Sequence, residues 1–207
     1  MDTKEKFRKF CKSSLERQSH QYHSKKYQVN QALFLLIKQL KAKNILLYCP
    51  LKLEIDIFPL IYKLKKQGYK LFIPKVTGVS FAIVEFSLPL IKNKYGILEC
   101  KTRIQNPKKI DVMITPVLGI DRTFRRIGFG KGMYDRFFAA LKIKPKVIFI
   151  TKNLYFSKEI LTQDHDIRGD FLFCSQIGIK RERNDHLYCY KLPNKRMLHW
   201  NHHILYH

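Results

Sequence analysis

A glycine-rich segment over residues 125–136 has the residue types and spacing of a phosphate-binding loop. Gly128, Gly130 and Gly132 alternate with other residues, and basic side chains stand on both sides. Glycine permits positive φ angles and lets backbone N–H groups approach a ligand closely, and N–H groups at a helix start bind anions. The carboxylate of Asp135 follows at once and is a hard oxygen ligand of the kind Mg²⁺ prefers. The segment therefore predicts an anion site with a cation beside it.

The glycine spacing alone does not decide between a ligand site and an ordinary turn. It lacks the Walker A pattern and fits Gly-x-Gly-x-x-Gly only in part, because Gly132 comes one residue early. A flexible turn between a strand and a helix therefore stays open as an interpretation. Arg126 and Lys131 favour the phosphate site as charge-assisted donors, and Tyr134 adds an aromatic surface.

Short apolar runs that alternate with amphipathic stretches must position this segment. We predict helices over residues 3–18, 27–41, 54–67 and 133–141, and strands over residues 44–49, 70–74, 80–86, 110–116, 146–150 and 170–174. Such alternation is typical of an α/β sheet, mostly parallel and covered by helices on both faces. Ligands of these sheets gather at the carboxyl ends of strands, and the glycine-rich segment follows the end of the strand over 110–116.

Residues 178–207 differ from the rest because they are polar, contain histidine and show no clear periodicity. We expect a basic C-terminal extension to an α/β domain over residues 1–177. The histidines of this extension would bind a metal only adventitiously, since no cysteine or carboxylate arrangement supports them; they are His199, His202, His203 and His207.

The formal net charge of +24 is the strongest bulk property of the chain. Such a field attracts polyanions, but the lysines are dispersed and form no block. We therefore expect a generally basic surface and no nucleic-acid partner.

The five cysteines include no Cys-x-x-Cys pair, which favours reduced thiols. With no apolar run of about 18 residues and no apolar signal region, we predict a cytoplasmic protein without a membrane partner, and we favour a monomer.

The stretch over residues 110–137 resembles the signature of the 5-formyltetrahydrofolate cyclo-ligase family, also called methenyltetrahydrofolate synthetases. That pattern joins an Asp-x-x-x-x-Pro strand and a Phe-Asp pair to Arg-Leu-Gly-x-Gly-x-Gly-Tyr-Tyr-Asp. The likeness extends over about residues 4–175. Further matching positions are Lys4, Arg8, Glu54, Pro74, residues 95–99, His165, Asp166 and Asp170.

The chain departs from the family pattern at four positions. Met133 replaces the first of the two tyrosines, which removes an aromatic face and a hydroxyl group, and Phe124 stands where glycine is usual. Ile120 replaces the phenylalanine of the Phe-Asp pair, and Cys100 replaces a proline. None of these changes removes a basic residue or a carboxylate.

The resemblance implies a three-layer α/β sandwich, similar to sugar-phosphate isomerases and CoA transferases. It also implies ATP-dependent conversion of 5-formyltetrahydrofolate to 5,10-methenyltetrahydrofolate with release of ADP and phosphate. In that reaction the γ-phosphoryl group is transferred to the formyl oxygen, and N10 then closes the ring. The expected requirements are ATP, Mg²⁺ and a reduced folate, with or without a polyglutamate tail.

Site residues carry over from the family one by one. The resemblance implies ATP binding by Lys4, Arg8, Arg126, Ile127, Gly128, Phe129, Gly130, Lys131, Gly132, Met133 and Tyr134. It implies folate binding by Arg8, Cys49, Glu54, Phe129, Gly130, Lys131, Gly132 and Met133. Lys131 and Arg126 would act in catalysis, and Asp135 and Asp170 would hold Mg²⁺.

Each role has a structural alternative. Lys4 and Arg8 suit a solvated helix face, Glu54 suits the first turn of a helix, and Cys49 suits a buried structural position. The adjacent His165 and Asp166 suit loop capping better than a catalytic dyad. For the whole chain, the alternatives are a basic nucleic-acid-associated protein on a repurposed scaffold, or another phosphate-handling enzyme on this fold.

Overall fold

The computed structural model describes residues 3–17, 26–93, 96–175, 177–182, 184–192 and 202–204. Its helices are α1 (Thr3–Arg17), α2 (Lys26–Gln39), α3 (Phe58–Lys66) and α4 (Met133–Ala140). None of the helices in these ranges is long and apolar enough to cross a membrane. The strands are β1 (Asn44–Leu46), β2 (Lys70–Thr77), β3 (Ser80–Glu85), β4 (Leu90–Lys92), β5 (Leu98–Cys100), β6 (Ile104–Gln105), β7 (Val112–Pro116), β8 (Gly119–Asp121), β9 (Arg126–Ile127), β10 (Lys146–Ile150), β11 (Phe156–Ser157), β12 (Phe171–Phe173), β13 (Ile177–Arg181), β14 (Leu187–Lys191) and β15 (His202–Ile204).

Ten strands form the central sheet, in the order β15-β14-β13-β12-β10-β7-β1-β2-β3-β6. The five in the middle, from β12 to β2, run parallel to one another. The flanking strands on both sides are antiparallel. The predicted α/β class is confirmed, and parallel pairing is confined to the centre of the sheet.

Neighbouring residues of each central strand point into two different cores, because side chains alternate along a strand. Ile45 of β1 and Ile148 of β10 pack with α2 and α3 on one face. Leu46 and Val147 pack on the other face, where α4 lies. Helices therefore cover both faces, which gives the three layers that the resemblance implied.

Helix α3 begins four residues later than the sequence pattern predicted. Pro59 occupies the first turn, where its missing N–H and fixed φ cost nothing. The Asp56 carboxylate accepts the Phe58 N–H at 3.0 Å, and Asn30 of α2 accepts the Leu60 N–H at 3.2 Å. Glu54 consequently lies in the loop before the helix, so the expectation that it opens α3 was wrong.

The segment after residue 177 continues the sheet. β13 pairs with β12, and β14 and β15 follow it in antiparallel order. Ile179, Tyr190 and Leu192 are buried against the two cores. The predicted boundary at 177/178 falls at the start of β13, so the sheet runs across it. Two of the histidines named above, His199 and His207, lie outside the described residues.

Phe124 adopts a left-handed backbone conformation with φ of 58°. Its side chain is 1% exposed, and its ring lies 6.2 Å from the ring of Phe149. Left-handed φ values favour glycine because they bring Cβ close to the backbone. This conformation explains why glycine suits the position in the family pattern.

Candidate functional site

The glycine-rich segment lies beyond the carboxyl end of β7 and leads from β9 into α4. Gly130 has φ of 106°, and Gly132, the N-cap of α4, has φ of 59°. Both values lie where glycine is the favoured residue. Gly128 is needed for a different reason, since a Cβ atom there would overlap the guanidinium group of Arg126.

Arg126 is buried at the centre of this segment and is held on several sides. Its Nη1 donates to Asp135 Oδ2 at 2.9 Å, and its Nε donates to the Pro116 carbonyl at 3.3 Å. Its guanidinium carbon lies 5.1 Å from the centre of the Tyr134 ring, a distance at which a cation and an aromatic face attract. The guanidinium position is thus set by the fold.

Helix α1 packs against the glycine-rich segment through basic side chains. Arg8 Nε donates to the Gly128 carbonyl at 3.1 Å, and Lys12 Nζ donates to the Phe129 carbonyl at 3.2 Å. Lys4 forms an ion pair of 2.6 Å with Asp166. The Lys4 and Arg8 side chains are 12% and 18% exposed. These contacts are unlike those of a solvated helix face.

Two cavities open on either side of this segment. The first, here called the polar cavity, has a volume of about 380 Å³. It is lined by Lys4, Arg8, Arg126, Gly128, Gly130, Lys131, Gly132, Asp135, Arg136, Ala139, His165 and Asp166. Five of these side chains are Lys or Arg and two are Asp, so the lining has a surplus of positive charge.

The second, here called the apolar cavity, has a volume of about 180 Å³. It is lined by Tyr48, Cys49, Leu51, Glu54, Pro74, Val76, Phe81, Ile97, Pro116, Arg126, Phe129, Lys131, Gly132, Met133 and Tyr134. Arg126, Lys131 and Gly132 line both cavities. These three residues form a common wall.

Glu54 is the carboxylate of the apolar cavity. Its Oε2 accepts the Leu51 N–H at 2.9 Å. Burial raises the pKa of Glu54 to about 7, although the Leu51 N–H and the positive charges of Arg126 and Lys152 oppose the shift. The carboxyl group therefore changes its charge near neutral pH. Burial also raises the pKa of the Cys49 thiol to about 12, so that thiol stays neutral in the cavity lining.

The structure separates the two aspartates that the sequence paired as Mg²⁺ ligands. Asp170 precedes β12, at the amino end of the parallel strands, where its Oδ2 accepts the Val147 N–H at 2.8 Å and its Oδ1 binds Lys146 Nζ at 2.9 Å. It lines a different surface depression from Asp135. The expectation of one Mg²⁺ site formed by both residues is corrected, because the two carboxylates lie in different places.

The remaining carboxylate does not fit a metal ligand either. Asp135 Oδ2 is paired with Arg126, and its Oδ1 accepts the Ile167 N–H at 3.2 Å. A cation placed there would stand beside a guanidinium group. The part of the chain that the structure describes contains no group of three or more His, Cys, Asp or Glu residues that could hold a metal ion. We therefore assign no metal to these side chains.

The remaining predicted site residues line the apolar cavity, except for Ile127. Tyr134, predicted on ATP, lines the apolar cavity only, as do Phe129 and Met133, which were predicted on both ligands. Ile127 is fully buried in β9 and lines neither cavity. Cys49, which the resemblance placed on the folate, lines the apolar cavity.

Sequence reasoning missed two basic residues of the site. Lys12 lies one helical turn beyond Arg8, so the same spacing that linked Lys4 to Arg8 identifies it. Arg136 donates from Nε to the Val79 carbonyl at 2.9 Å and from Nη2 to the Lys131 carbonyl at 2.5 Å.

The loop-capping role expected for Asp166 is confirmed, since its Oδ2 accepts the Gln163 N–H at 2.8 Å.

Comparison with known proteins shows which family the chain belongs to. The model of the 5-formyltetrahydrofolate cyclo-ligase family matches residues 1–170. The chain belongs to this family. The match ends just before β12, so the strands from β12 to β15 lie beyond it.

Relatives of this cyclo-ligase family member carry the same family name. The 5-formyltetrahydrofolate cyclo-ligase of Haemophilus influenzae is 32% identical over 124 residues, 56% of this chain and 66% of that protein, which is just under two thirds. The one of Mycoplasma genitalium is 28% identical over 149 residues, 71% of this chain and 82% of that protein.

Solved structures extend the likeness to nearly the whole chain. The 5,10-methenyltetrahydrofolate synthetase of Aquifex aeolicus is 26% identical, with a TM-score of 0.69 over 95% of this chain and 96% of that one. The synthetase of Mycoplasma pneumoniae has a TM-score of 0.64 over 82% of this chain and 97% of that one, at 23% identity, and supports the fold alone.

Proposed function

We propose that this cyclo-ligase family member uses ATP to convert 5-formyltetrahydrofolate to 5,10-methenyltetrahydrofolate, with release of ADP and phosphate. The observation that carries the proposal is the common wall of Arg126, Lys131 and Gly132 between the polar and apolar cavities. A phosphate donor and a heterocyclic acceptor that bind on its two sides would meet at this wall. The names of the relatives support a reduced folate as the acceptor.

The polar cavity suits the triphosphate of ATP. Arg8, Lys131 and Arg136 bring positive charge to its lining, and the backbone at Gly130 and Gly132 brings peptide groups close to it. Charge-assisted hydrogen bonds to phosphate are stronger than neutral ones. Since Asp135 and Asp170 lie apart and Asp135 is paired with Arg126, we assign no step to a metal held by these carboxylates; Mg²⁺ would enter with ATP.

The apolar cavity suits the flat pterin ring of the folate. Phe129 and Met133 supply apolar walls, and the Glu54 carboxylate is an acceptor for pterin N–H and amino donors. A buried carboxylate that finds such donors recovers the hydrogen bonds it lost on leaving water.

The reaction then needs alignment and charge neutralisation. The formyl oxygen attacks the γ-phosphorus of ATP, the bond to the bridging oxygen breaks, and ADP leaves. N10 attacks the activated formyl carbon and loses its proton, and phosphate departs with the former formyl oxygen. N10 belongs to the same molecule, so proximity favours ring closure. Lys131 and Arg126 would stabilise the negative charge on the transferred group.

One assay tests this proposal. The protein is mixed with ATP, Mg²⁺ and 5-formyltetrahydrofolate, and the ultraviolet absorbance of the methenyl product is followed. We expect a signal that depends on ATP and scales with protein concentration. A folded protein that gives no ATP-dependent signal would overturn the proposal. Nothing in the family match favours the nucleic-acid alternative, and we do not propose it.

A further inference from the structure

We propose that Asp135 is a positioning residue that fixes the guanidinium group of Arg126 in the common wall, and that it is not a ligand of Mg²⁺. The inference deepens the proposed function and rests on it, since Arg126 matters because it faces both cavities. Its basis is the ion pair between Arg126 Nη1 and Asp135 Oδ2 at 2.9 Å.

This ion pair is buried from solvent. The side chains of Arg126 and Asp135 are 6% and 10% exposed. Removing one partner of such a pair leaves the other charge uncompensated in a medium of low polarity. Arg126 therefore depends on Asp135 for its charge balance, and a displaced carboxylate would displace the guanidinium with it.

Among the described residues, Asp135 is the only carboxylate in an ion pair with this guanidinium group, and the Glu54 carboxylate interacts with the Arg126 charge only at longer range. The Pro116 carbonyl accepts from Nε, the Tyr134 ring lies 5.1 Å away, and Gly128 lacks the Cβ that would overlap it. These groups restrict where the guanidinium lies, but none of them carries a negative charge. Asp135, which lies in the lining of the polar cavity, supplies that charge.

The carboxylate is itself fixed in place. Asp135 lies in the first turn of α4, and its Oδ1 accepts the Ile167 N–H at 3.2 Å. Each oxygen of Asp135 thus already accepts one hydrogen bond, and a metal ion bound to the carboxylate would stand beside the positive charge of Arg126. The Asp135 side chain instead connects α4 to β9 and to the segment before β12. These contacts fix the carboxylate, so that it can position Arg126.

The experiment measures nucleotide binding, without turnover. The probe is the non-hydrolysable β,γ-imido analogue of ATP, titrated calorimetrically with EDTA present and again with Mg²⁺ present. The variants are Asp135→Asn, Arg126→Lys and the double variant, and Asp170→Asn serves as the matched carboxylate from the other end of the strands. Thermal melting of each variant shows that it is folded.

We expect Asp135→Asn to weaken binding by about ten-fold, the loss of one charge-assisted contact, and by the same factor with EDTA and with Mg²⁺. The double variant should bind no more weakly than the weaker single variant, because both act on one group. Asp170→Asn should match the wild type. If Asp135→Asn does not fold, Asp135→Glu, which keeps the charge and moves it by one methylene, should show the same metal-independent loss.

Two results would overturn the inference. One is a loss that appears only with Mg²⁺, which would mark Asp135 as a metal ligand. The other is an additive loss in the double variant, which would mean that the two residues act separately. A wild-type protein that binds the analogue but shows no turnover would instead overturn the proposed function alone. A wild-type protein that binds no nucleotide would overturn both.

Discussion

The polar and apolar cavities share a wall but are built in opposite ways. The polar cavity collects charged side chains from α1, the glycine-rich segment, α4 and residues 165–166. The apolar cavity collects carbon-rich side chains from the ends of strands, with Glu54 as its carboxylate. One cavity is therefore suited to a highly charged ligand and the other to a flat ring with few polar groups.

The difference teaches how one loop can serve two ligands. Successive residues of the glycine-rich segment line different cavities: Phe129 lines only the apolar cavity, whereas its neighbours Gly128 and Gly130 line only the polar one. Lys131 reaches both. The alternation of glycines with larger residues first suggested a phosphate loop. The same alternation lets the residues between the glycines, such as Phe129, face the apolar cavity.

The largest effect is expected at the shared wall. Lys131→Ala should lower kcat by about 100-fold or more, because a cation that stabilises charge mainly in the transition state is lost. The KM values for ATP and folate should change much less. The exposed Lys158→Ala is the matched control, measured by steady-state kinetics. Equal losses in kcat and in both affinities would mean that Lys131 stabilises the bound ligands as much as the transition state.

An intermediate effect confined to the apolar cavity is expected for Glu54→Gln. The folate KM should rise about ten-fold at pH 8, because a charged acceptor is replaced by a neutral one, and the ATP KM should not change. In the wild type, the folate KM should fall as pH rises through about 7, the raised pKa of Glu54. The variant should lose this dependence. Glu85→Gln, on β3, is the control.

The same group predicts the opposite trend for stability. Because burial raises the pKa of Glu54 from 4.5 to about 7, its contribution to the free energy of unfolding is present below pH 4.5 and is lost as pH rises through about 7. Denaturant titrations of wild type and Glu54→Gln across this range measure it. A parallel pH profile for the two proteins would contradict the raised pKa.

The smallest effect is expected where the chain departs from its family. Met133→Tyr restores an aromatic wall to the apolar cavity and should lower the folate Kd by about three-fold, within the range of an aromatic contact. The nucleotide affinity should be unchanged, since Met133 does not line the polar cavity. Calorimetric titration with each ligand measures both. A change in ATP binding alone would show that this residue serves the other cavity.

The polar cavity could be predicted from the sequence and the apolar cavity mostly could not. The sequence itself shows the glycine spacing, Arg126 and the helical spacing of Lys4 and Arg8. Tyr48 and Phe81, which line the apolar cavity, have the sequence pattern of ordinary core residues, and only the fold leaves a space beside them. Glu54 was identified through the resemblance, although its helix begins later than the pattern suggested.

The error at Asp170 has a physical explanation in the direction of the strands. The glycine-rich segment follows its strand, whereas Asp170 precedes β12, and parallel strands place these positions at opposite edges of a sheet. Asp170 is the first residue of the predicted strand over 170–174, so the prediction already placed it at the amino end of that strand. The family pattern placed the two carboxylates in one site, and the topology separates them.

The left-handed conformation of Phe124 makes its replacement of glycine difficult to reverse. The conformation costs a bulky side chain about 1–2 kcal/mol, while the ring buried beside Phe149 contributes about 1.5–3 kcal/mol. A return to glycine would relieve the backbone and leave a void as large as the ring. Glycine, the usual residue of the family pattern, is thus the less stable choice in this chain, and changes around Phe149 must accommodate the phenylalanine ring.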